Sequence, residues 1–412
     1  MTDVDAPVTI RGIAAGGDGV ASLPDGRTAF VPRAAPGDRV RLRNVRLHAR
    51  FARADIAMVV EPGADRVTPI CPHYTADRCG GCQLMHLTPE AQRAVKARIA
   101  GDAFRRIARI DMADPGIVAP AMELGYRTKI TFTMRQGRLG YHPVNEPDHV
   151  FDVHDCLLAE PSVRQLHAAV RSARQHLPDN DVRVVLRIDR QLGLHVIVEA
   201  MTDGGDVWLG GPALHAALAR AGVAAVIWWK PSDAAARTVA GADDPWPATV
   251  FEQVNPAMGR LVRDAAIASL GEVQGVQAWD LYAGIGETTV GLLARGAIVA
   301  SVERDARAVR LAESLGPTGP KRVAGLVEDQ APSLPKPDVV ITNPPRIGMG
   351  PRAITALLRA APARIAYVSC DPATLARDVA RLGEGFSVTS VQLFDQFPQT
   401  AHMECVALLE RR

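Results

Sequence analysis

Six cysteines divide into three groups of unlike chemistry. Cys370 lies in Ser369-Cys370-Asp371-Pro372, between an apolar β-type run, Arg364 to Val368, and a segment of helical character reaching about Leu382. Asp371 reads as an N-cap and Pro372 as the first helical residue, so the thiol stands at a helix N-terminus. That location is expected to lower a thiol pKa from its free value of about 8.5, which marks Cys370 as a nucleophile. Without such help only a few per cent would be ionised at pH 7. Cys71, Cys79 and Cys82 form a C-x7-C-x2-C group that Cys156 completes from a distance. Four thiolates bring soft ligands to one point and suit either tetrahedral zinc or a 4Fe-4S cluster; the spacing does not separate them. With four thiols present, His73 and His86 read as solvent-facing or hydrogen-bonded residues, and Cys405, in an apolar run, reads as a packing residue.

A third constellation runs from the β-type segment Gln277 to Tyr282 through Ala283-Gly284-Ile285-Gly286 into a helix from Thr288, then to a second strand ending at Val302 and Glu303. Glycines between strand and helix, here Gly284 and Gly286, let the backbone approach a ligand closely. An acid closing the next strand, here Glu303, can hydrogen-bond ribose hydroxyls. Any nucleoside cofactor would fit this much. A dinucleotide fingerprint needs a small residue where this chain has β-branched Thr289, which argues against NAD. Asp280, four residues before Gly284, suits S-adenosylmethionine, whose sulfonium and amino groups favour nearby carboxylates.

These residues need elements to hold them. The chain has 412 residues, 47% of them hydrophobic, enough for roughly two to four domains. Net charge is only +2, so bulk charge predicts no polyanionic partner. Locally, Arg39, Arg41, Arg43, Arg46, Arg50 and Arg53 crowd a stretch without acids, which reads as a solvated strand face or as a stripe that neutralises phosphates. The acidic opening residues and the absence of an apolar run of spanning length predict a cytoplasmic protein with no membrane partner, where thiols stay reduced. Residues 7–60 alternate short β-rich runs with Gly-Asp-Gly, Pro-Asp-Gly and Pro-Gly-Asp turns, which predicts a small antiparallel barrel. A helix is expected from Thr88 to about Ile110, and mixed strand and helix from about 120 to 250. After Pro247 strands alternate with helices, which predicts βαβ units and a largely parallel sheet. The strand ends before Asn343 and Cys370 then lie at one sheet edge, where open α/β sheets collect ligands.

Three runs together are specific: Asn343-Pro344-Pro345-Arg346-Ile347-Gly348, Tyr367 through Asp378 with Ser369-Cys370-Asp371-Pro372 inside it, and Phe394-Asp395-Gln396-Phe397-Pro398-Gln399-Thr400-Ala401-His402-Met403-Glu404. In order and spacing they resemble the RNA uracil-5 methyltransferase family. The N-terminal barrel and the four-cysteine set are similar to the branch of bacterial 23S ribosomal RNA methyltransferases that carry a TRAM domain and a 4Fe-4S cluster. The resemblance implies an α/β protein in three parts: a TRAM-like, OB-type barrel binding RNA at 1–60; a mixed α+β central domain with the cluster loop at 61–250, whose helix at 88–118 packs on the catalytic domain; and a Rossmann-like class I methyltransferase domain with a mainly parallel sheet at 251–412.

It also implies roles. Cys370 adds to C6 of uracil, the activated C5 takes the methyl group of S-adenosylmethionine, and Glu404 removes the C5 proton so that the thiol leaves. Gln253 and Tyr282 reach cofactor or substrate, as do Glu303 and the turn residues Gly284, Gly286 and Glu287; Asp329 lies near the adenine. Asn343 stands where the family has Asp, keeping a carbonyl acceptor and losing the charge. Cys71, Cys79, Cys82 and Cys156 hold a 4Fe-4S cluster in preference to zinc. The implied partner is 23S ribosomal RNA, with transfer RNA as the alternative, acted on by a monomer. Two other readings stand beside this one: a base-amine methyltransferase using Asn343-Pro344-Pro345, and a non-catalytic, cluster-bearing RNA-binding protein.

Overall fold

The computed structural model describes residues 2–202, 207–242 and 250–412, and the change of texture expected at Pro247 lies outside them. Among the described residues the strands form three sheets, and the chain divides into two compact units. The first comprises Met1–Gln92, Ala121–Thr249 and Pro398–Ala401; the second comprises Arg93–Pro120, Val250–Phe397 and His402–Arg412.

In the first unit a six-stranded sheet runs Thr2–Thr9, Arg39–Leu47, Phe51–Glu61, Thr28–Val31, Gly19–Ser22, Gly12–Ile13. All neighbours are antiparallel except the parallel pair Thr28–Val31 and Phe51–Glu61. Period-two alternation explains the arginine stripe: Val40 and Leu42 enter the core, while Arg39, Arg41 and Arg43 point to solvent; an irregularity at the left-handed Asn44 then brings Val45 inward. A seven-stranded sheet follows, ordered Phe151–Asp152, Arg138–Tyr141, Lys129–Arg135, Val182–Ile188, Leu194–Ala200, Ala225–Lys230, Arg237–Ala240. The helices Pro161–Ser172 and Gly211–Arg220 pack on it through Leu166, Val170, Leu214 and Leu218, in one core with Phe132, Leu186 and Trp229.

The second unit carries an eight-stranded sheet, ordered Lys321–Ala324, Ile298–Glu303, Gln277–Leu281, Val339–Thr342, Arg364–Ser369, Glu404–Arg411, Phe386–Phe394, Ile117–Val118. The first five strands are parallel, and Glu404–Arg411 runs antiparallel to both its neighbours. Strand order reverses at Gln277–Leu281, since the chain steps outward from it to one side and then returns to the other. Such a reversal opens a crevice at the carboxyl ends of the strands. Two apolar cores flank the sheet, one including Leu281, Val302, Val340 and Tyr367, the other Ala278, Val299, Ile341 and Ala366.

The helix expected from Thr88 is α-helical over Pro89–Ala103, and the Thr88 hydroxyl accepts the Ala91 N–H at 3.3 Å. It then widens into a π-turn over Phe104–Ala108 and closes at Arg109, which is left-handed with φ of 58°. Its residues from Arg93 onward belong to the second unit, where Ile99, Ala100, Ala103 and Phe104 join the core beside Leu281 and Tyr367. No helix among the described residues is long and apolar enough to cross a membrane.

Candidate active site

The glycine turn forms because three successive bends need left-handed backbone. Tyr282 has φ of 62°, Gly284 of 56° and Gly286 of 81°, and the helix Glu287–Leu293 starts directly after. A side chain at Gly284 would meet nothing within 4 Å, so the turn borders open space at that point. Glu303 braces it from the next strand: one carboxylate oxygen accepts the Gly284 N–H at 2.9 Å and the other the Asp305 N–H at 2.8 Å. Asp280 is buried beneath, and the Thr289 hydroxyl donates to it at 2.6 Å. Burial pushes the Asp280 carboxyl up to about 7, against the Thr289 bond that pulls it down, with the Glu303 charge adding to the rise. The acid expected to face a sulfonium is therefore a buried support of the turn, and Thr289 is its partner.

The other expected cofactor residues are distributed unevenly. Glu287 is paired with Arg263 at 3.0 Å. Tyr282 is half-buried, and burial pushes its hydroxyl up to about 12, with the Glu328 charge contributing. Asp329 is exposed and pairs with Arg352 at 2.7 Å, so the acid whose charge reaches Tyr282 is its neighbour Glu328. Asn343 is half-buried, and its backbone N–H donates to the Leu281 carbonyl at 3.2 Å across the strand reversal. Gln253 is half-buried, and its side-chain oxygen accepts from Gln396 at 3.2 Å.

Sheet register brings the two reactive candidates together. Arg364–Ser369 pairs antiparallel with Glu404–Arg411, with Val368 opposite Val406 and Ser369 opposite Cys405. One step further the same register sets Cys370 beside Glu404, on the same face, whereas Cys405 projects to the other face and is fully buried. Glu404 is 4% exposed, and burial pushes its carboxyl up to about 8 while the Arg346 charge pulls it down. Burial also raises the Cys370 thiol, the Glu404 charge raises it further, and Arg346 opposes both through its charge and a hydrogen bond to the sulfur. The expected lowering by the helix N-terminus is reversed. Asp371 does cap the helix Pro372–Leu382, taking the Thr374 N–H at 2.7 Å, but its negative charge also disfavours a thiolate next door.

Arg346 was absent from the residues expected to act, although it stands in the run Asn343 to Gly348. A buried anchor fixes its loop. Asp378 accepts the Tyr367 hydroxyl at 2.7 Å and the Met349 N–H at 2.8 Å, and pairs with Arg377 at 2.9 Å. Arg377 in turn donates to the Ile347 carbonyl at 2.6 Å. Gly348, with φ of 79°, lies so close that a Cβ there would stand 2.3 Å from an Asp378 oxygen. A glycine two residues after Arg346, and an acid within the helix Pro372–Leu382, were the available signals.

In the first unit Cys71, Cys79, Cys82 and Cys156 line one cavity of about 100 Å³. Tyr141 is hydrogen-bonded to the Cys156 sulfur, the Arg127 charge reaches Cys82 and Cys156, and the Gly81 N–H points at the Cys79 sulfur at 3.5 Å. Donors and cations around convergent sulfurs fit an anionic, thiolate-bound group. Among the described residues no group of three or more His, Cys, Asp or Glu is arranged to hold a single metal ion. His73 and His86 are both buried: His73 meets Asp77 at 2.7 Å and accepts the His154 N–H at 3.0 Å, while His86 meets the Tyr74 hydroxyl at 2.7 Å through Nδ1.

Comparison with known proteins follows the same lines. The family pattern described as tRNA (Uracil-5-)-methyltransferase matches residues 335–412. A 23S rRNA (uracil(1939)-C(5))-methyltransferase of Acidithiobacillus ferrooxidans is 31% identical over 98% of this chain and 97% of its own length. A protein of the same description from Chromohalobacter salexigens is 33% identical over 98% of this chain and 89% of its own. Among solved structures, the Pyrococcus abyssi tRNA (uracil-54, C5)-methyltransferase in complex with S-adenosyl-L-homocysteine superposes with a TM-score of 0.71 and 21% identity, covering 98% of this chain and 100% of that one, and so shares its fold. Full-length identity of this order, together with the matched C-terminal pattern, makes the chain a member of the RNA uracil-5 methyltransferase family.

Proposed function

We propose that this protein methylates C5 of a uridine in RNA, most specifically in 23S ribosomal RNA, by covalent catalysis from Cys370 and base catalysis from Glu404. The observation that carries the reading is the register that sets Cys370 beside Glu404, with Arg346 acting on both. A base-amine methyltransferase would have no use for that pair. The relatives named above are described as acting on 23S rRNA, which supports the choice of RNA. Acting as a monomer, the chain would use residues 1–60 as an RNA-binding, TRAM-like domain, 61–250 as the cluster-bearing domain and 251–412 as the catalytic domain. Exposed Arg39, Arg41 and Arg43 supply phosphate contacts.

The chemistry follows from the charges. S-adenosylmethionine, when bound at the turn of Gly284 and Gly286, would supply an electrophilic methyl group, with Tyr282, Glu287, Glu303, Asp329 and Asn343 as its surroundings and Gln253 set toward the uracil. The Cys370 thiolate, supported by Arg346, adds to C6 of the uracil, and the electron pair of the C5–C6 double bond moves toward C5. C5 then takes the methyl group as the sulfonium S–CH3 bond breaks, leaving S-adenosylhomocysteine. Glu404, which burial favours as the neutral acid and Arg346 pulls toward the anion, gives its proton to solvent before it acts as base. It removes the C5 proton, the double bond re-forms and the C6–S bond breaks, returning Cys370 as thiolate. Reaching C5 in folded RNA requires the base to be unstacked, at a cost of a few kcal/mol.

Cys71, Cys79, Cys82 and Cys156 would hold a 4Fe-4S cluster that ties the loop of the first three to the Asp155-Cys156 segment; its role is structural. Mass-spectrometric mapping of 5-methyluridine in RNA from cells with and without the protein tests the function. The mark is expected to vanish with the protein and with Cys370→Ala, and an unchanged map would refute the reading. Anaerobic purification should give iron and sulfide; stoichiometric zinc without them would remove the cluster.

A further inference from the structure

Gln396 is fully buried, lies just beyond the strand Phe386–Phe394 at the ligand-binding edge of the sheet, and has no part in the chemistry above. Its side-chain NH2 donates to the Asn255 backbone carbonyl at 3.3 Å and to the Gln253 side-chain oxygen at 3.2 Å. Its own backbone carbonyl accepts from the Asn255 side-chain NH2 at 3.1 Å. Asn255 cannot turn, because its side-chain oxygen caps the helix Pro256–Ser269 by accepting the Met258 N–H at 3.2 Å.

Donor and acceptor logic orients every amide in this chain of contacts. A backbone carbonyl only accepts, so the end of Gln396 that faces Asn255 must be its NH2. The same NH2 faces Gln253, so the Gln253 atom it meets must be the oxygen. The Gln253 NH2 is then left on the side away from Gln396. Reversing Gln396 would set its oxygen against the Asn255 carbonyl. The arrangement persists even though the Gln396 side-chain oxygen is buried without a partner. The Gln253 stem is held as well: a Cβ at Gly259 would lie 3.0 Å from both its Cβ and its Cγ.

We propose that Gln396 is a positioning residue that locks the Gln253 amide with its NH2 toward the substrate, so that Gln253 donates to a base carbonyl and favours uracil over cytosine. The inference rests on the function proposed above. Uracil presents a carbonyl at C4, which accepts from a fixed NH2; cytosine presents an amino group there, which meets that NH2 donor to donor. A Gln253 amide free to flip could serve either base.

The test measures methyl transfer to an unmodified 23S ribosomal RNA transcript carrying uridine or cytidine at the position the wild-type protein methylates. Gln396→Met, which keeps length and removes the donor, should lower kcat/KM for uridine roughly 3- to 10-fold, the worth of one oriented hydrogen bond, and narrow the uridine-to-cytidine ratio by a similar factor. In a Gln253→Ala background the same substitution should have no further effect. Gln253→Glu, which keeps the contact to Gln396 but offers only acceptors, should likewise lose the preference and guards against misfolding of the first variant. Equal losses for Gln396→Met in both backgrounds, or an unchanged ratio, would overturn the positioning role. A wild-type protein that leaves the transcript unmethylated would instead overturn the function on which it rests.

Discussion

Glu404→Gln is the most informative single substitution, because the structure gives both its sign and its size. In the folded protein burial holds the carboxyl at about 8, against 4.5 for an ordinary glutamate. At about 1.4 kcal/mol per pH unit, that interval amounts to roughly 5 kcal/mol. The folded value lies above the unfolded one, so the contribution is complete below pH 4.5 and is lost as pH rises through about 8. Glutamine reproduces the shape of the neutral acid and cannot ionise. The variant should therefore exceed the wild type by only about 1 kcal/mol at pH 5 and by about 5 kcal/mol at pH 9, since other titrating groups cancel in the difference. Urea unfolding at pH 5, 7 and 9 measures this, with fluorescence of Trp279 reporting on the second unit. A stability difference that does not change with pH would refute the buried, neutral Glu404. The same variant should slow release of the covalent RNA adduct by about 10²- to 10⁴-fold, the usual worth of a general base, and leave its formation intact. Full turnover would remove Glu404 from the mechanism.

Gly348→Ala would force a Cβ to 2.3 Å from Asp378 at a left-handed φ, and should cost about 2 to 4 kcal/mol and most of the activity through displacement of Arg346; normal melting and turnover would refute the anchor. Asp378→Ala leaves the Tyr367 hydroxyl and the Met349 N–H without their acceptor and should destabilise by about 3 to 5 kcal/mol in chemical denaturation. Lys96→Met strips the buried Asp395 of its partner at 2.5 Å and should cost a similar amount, about 3 to 5 kcal/mol; adding Asp395→Leu should recover most of it, and a failure to recover would mean the pair does more than neutralise charge. Arg346→Met should raise the pH at which Cys370 reacts with iodoacetamide, because the hydrogen bond and charge that favour the thiolate are lost; an unchanged alkylation profile would refute that role.

Much of the site was legible in order of residues. A cysteine after a β-run and before Asp-Pro, glycines between a strand and a helix, and an acid at the end of the next strand are local patterns, and local backbone preferences make them readable. The same patterns carried the parallel sheet and the alternation of the arginine stripe. Less local properties were not legible: Asp280 is buried under the turn with Thr289 as its donor, and Asp329 pairs with Arg352 while the charge that reaches Tyr282 is that of Glu328.

What the sequence by itself supplied is therefore a set of candidates, Cys370, Glu404 and four cysteines, and the elements that carry them. What only the tertiary structure decided is how they act on one another. Antiparallel register sets Cys370 beside Glu404 and sends Cys405 to the other face, and a one-residue slip would exchange them. Burial and the Glu404 and Asp371 charges raise a thiol that the helix N-terminus alone would lower, and Arg346 opposes them from a loop that Asp378 and Gly348 anchor. Ionisation and amide orientation depend on whatever surrounds a group in space, and those neighbours come from segments that the order of residues does not place together.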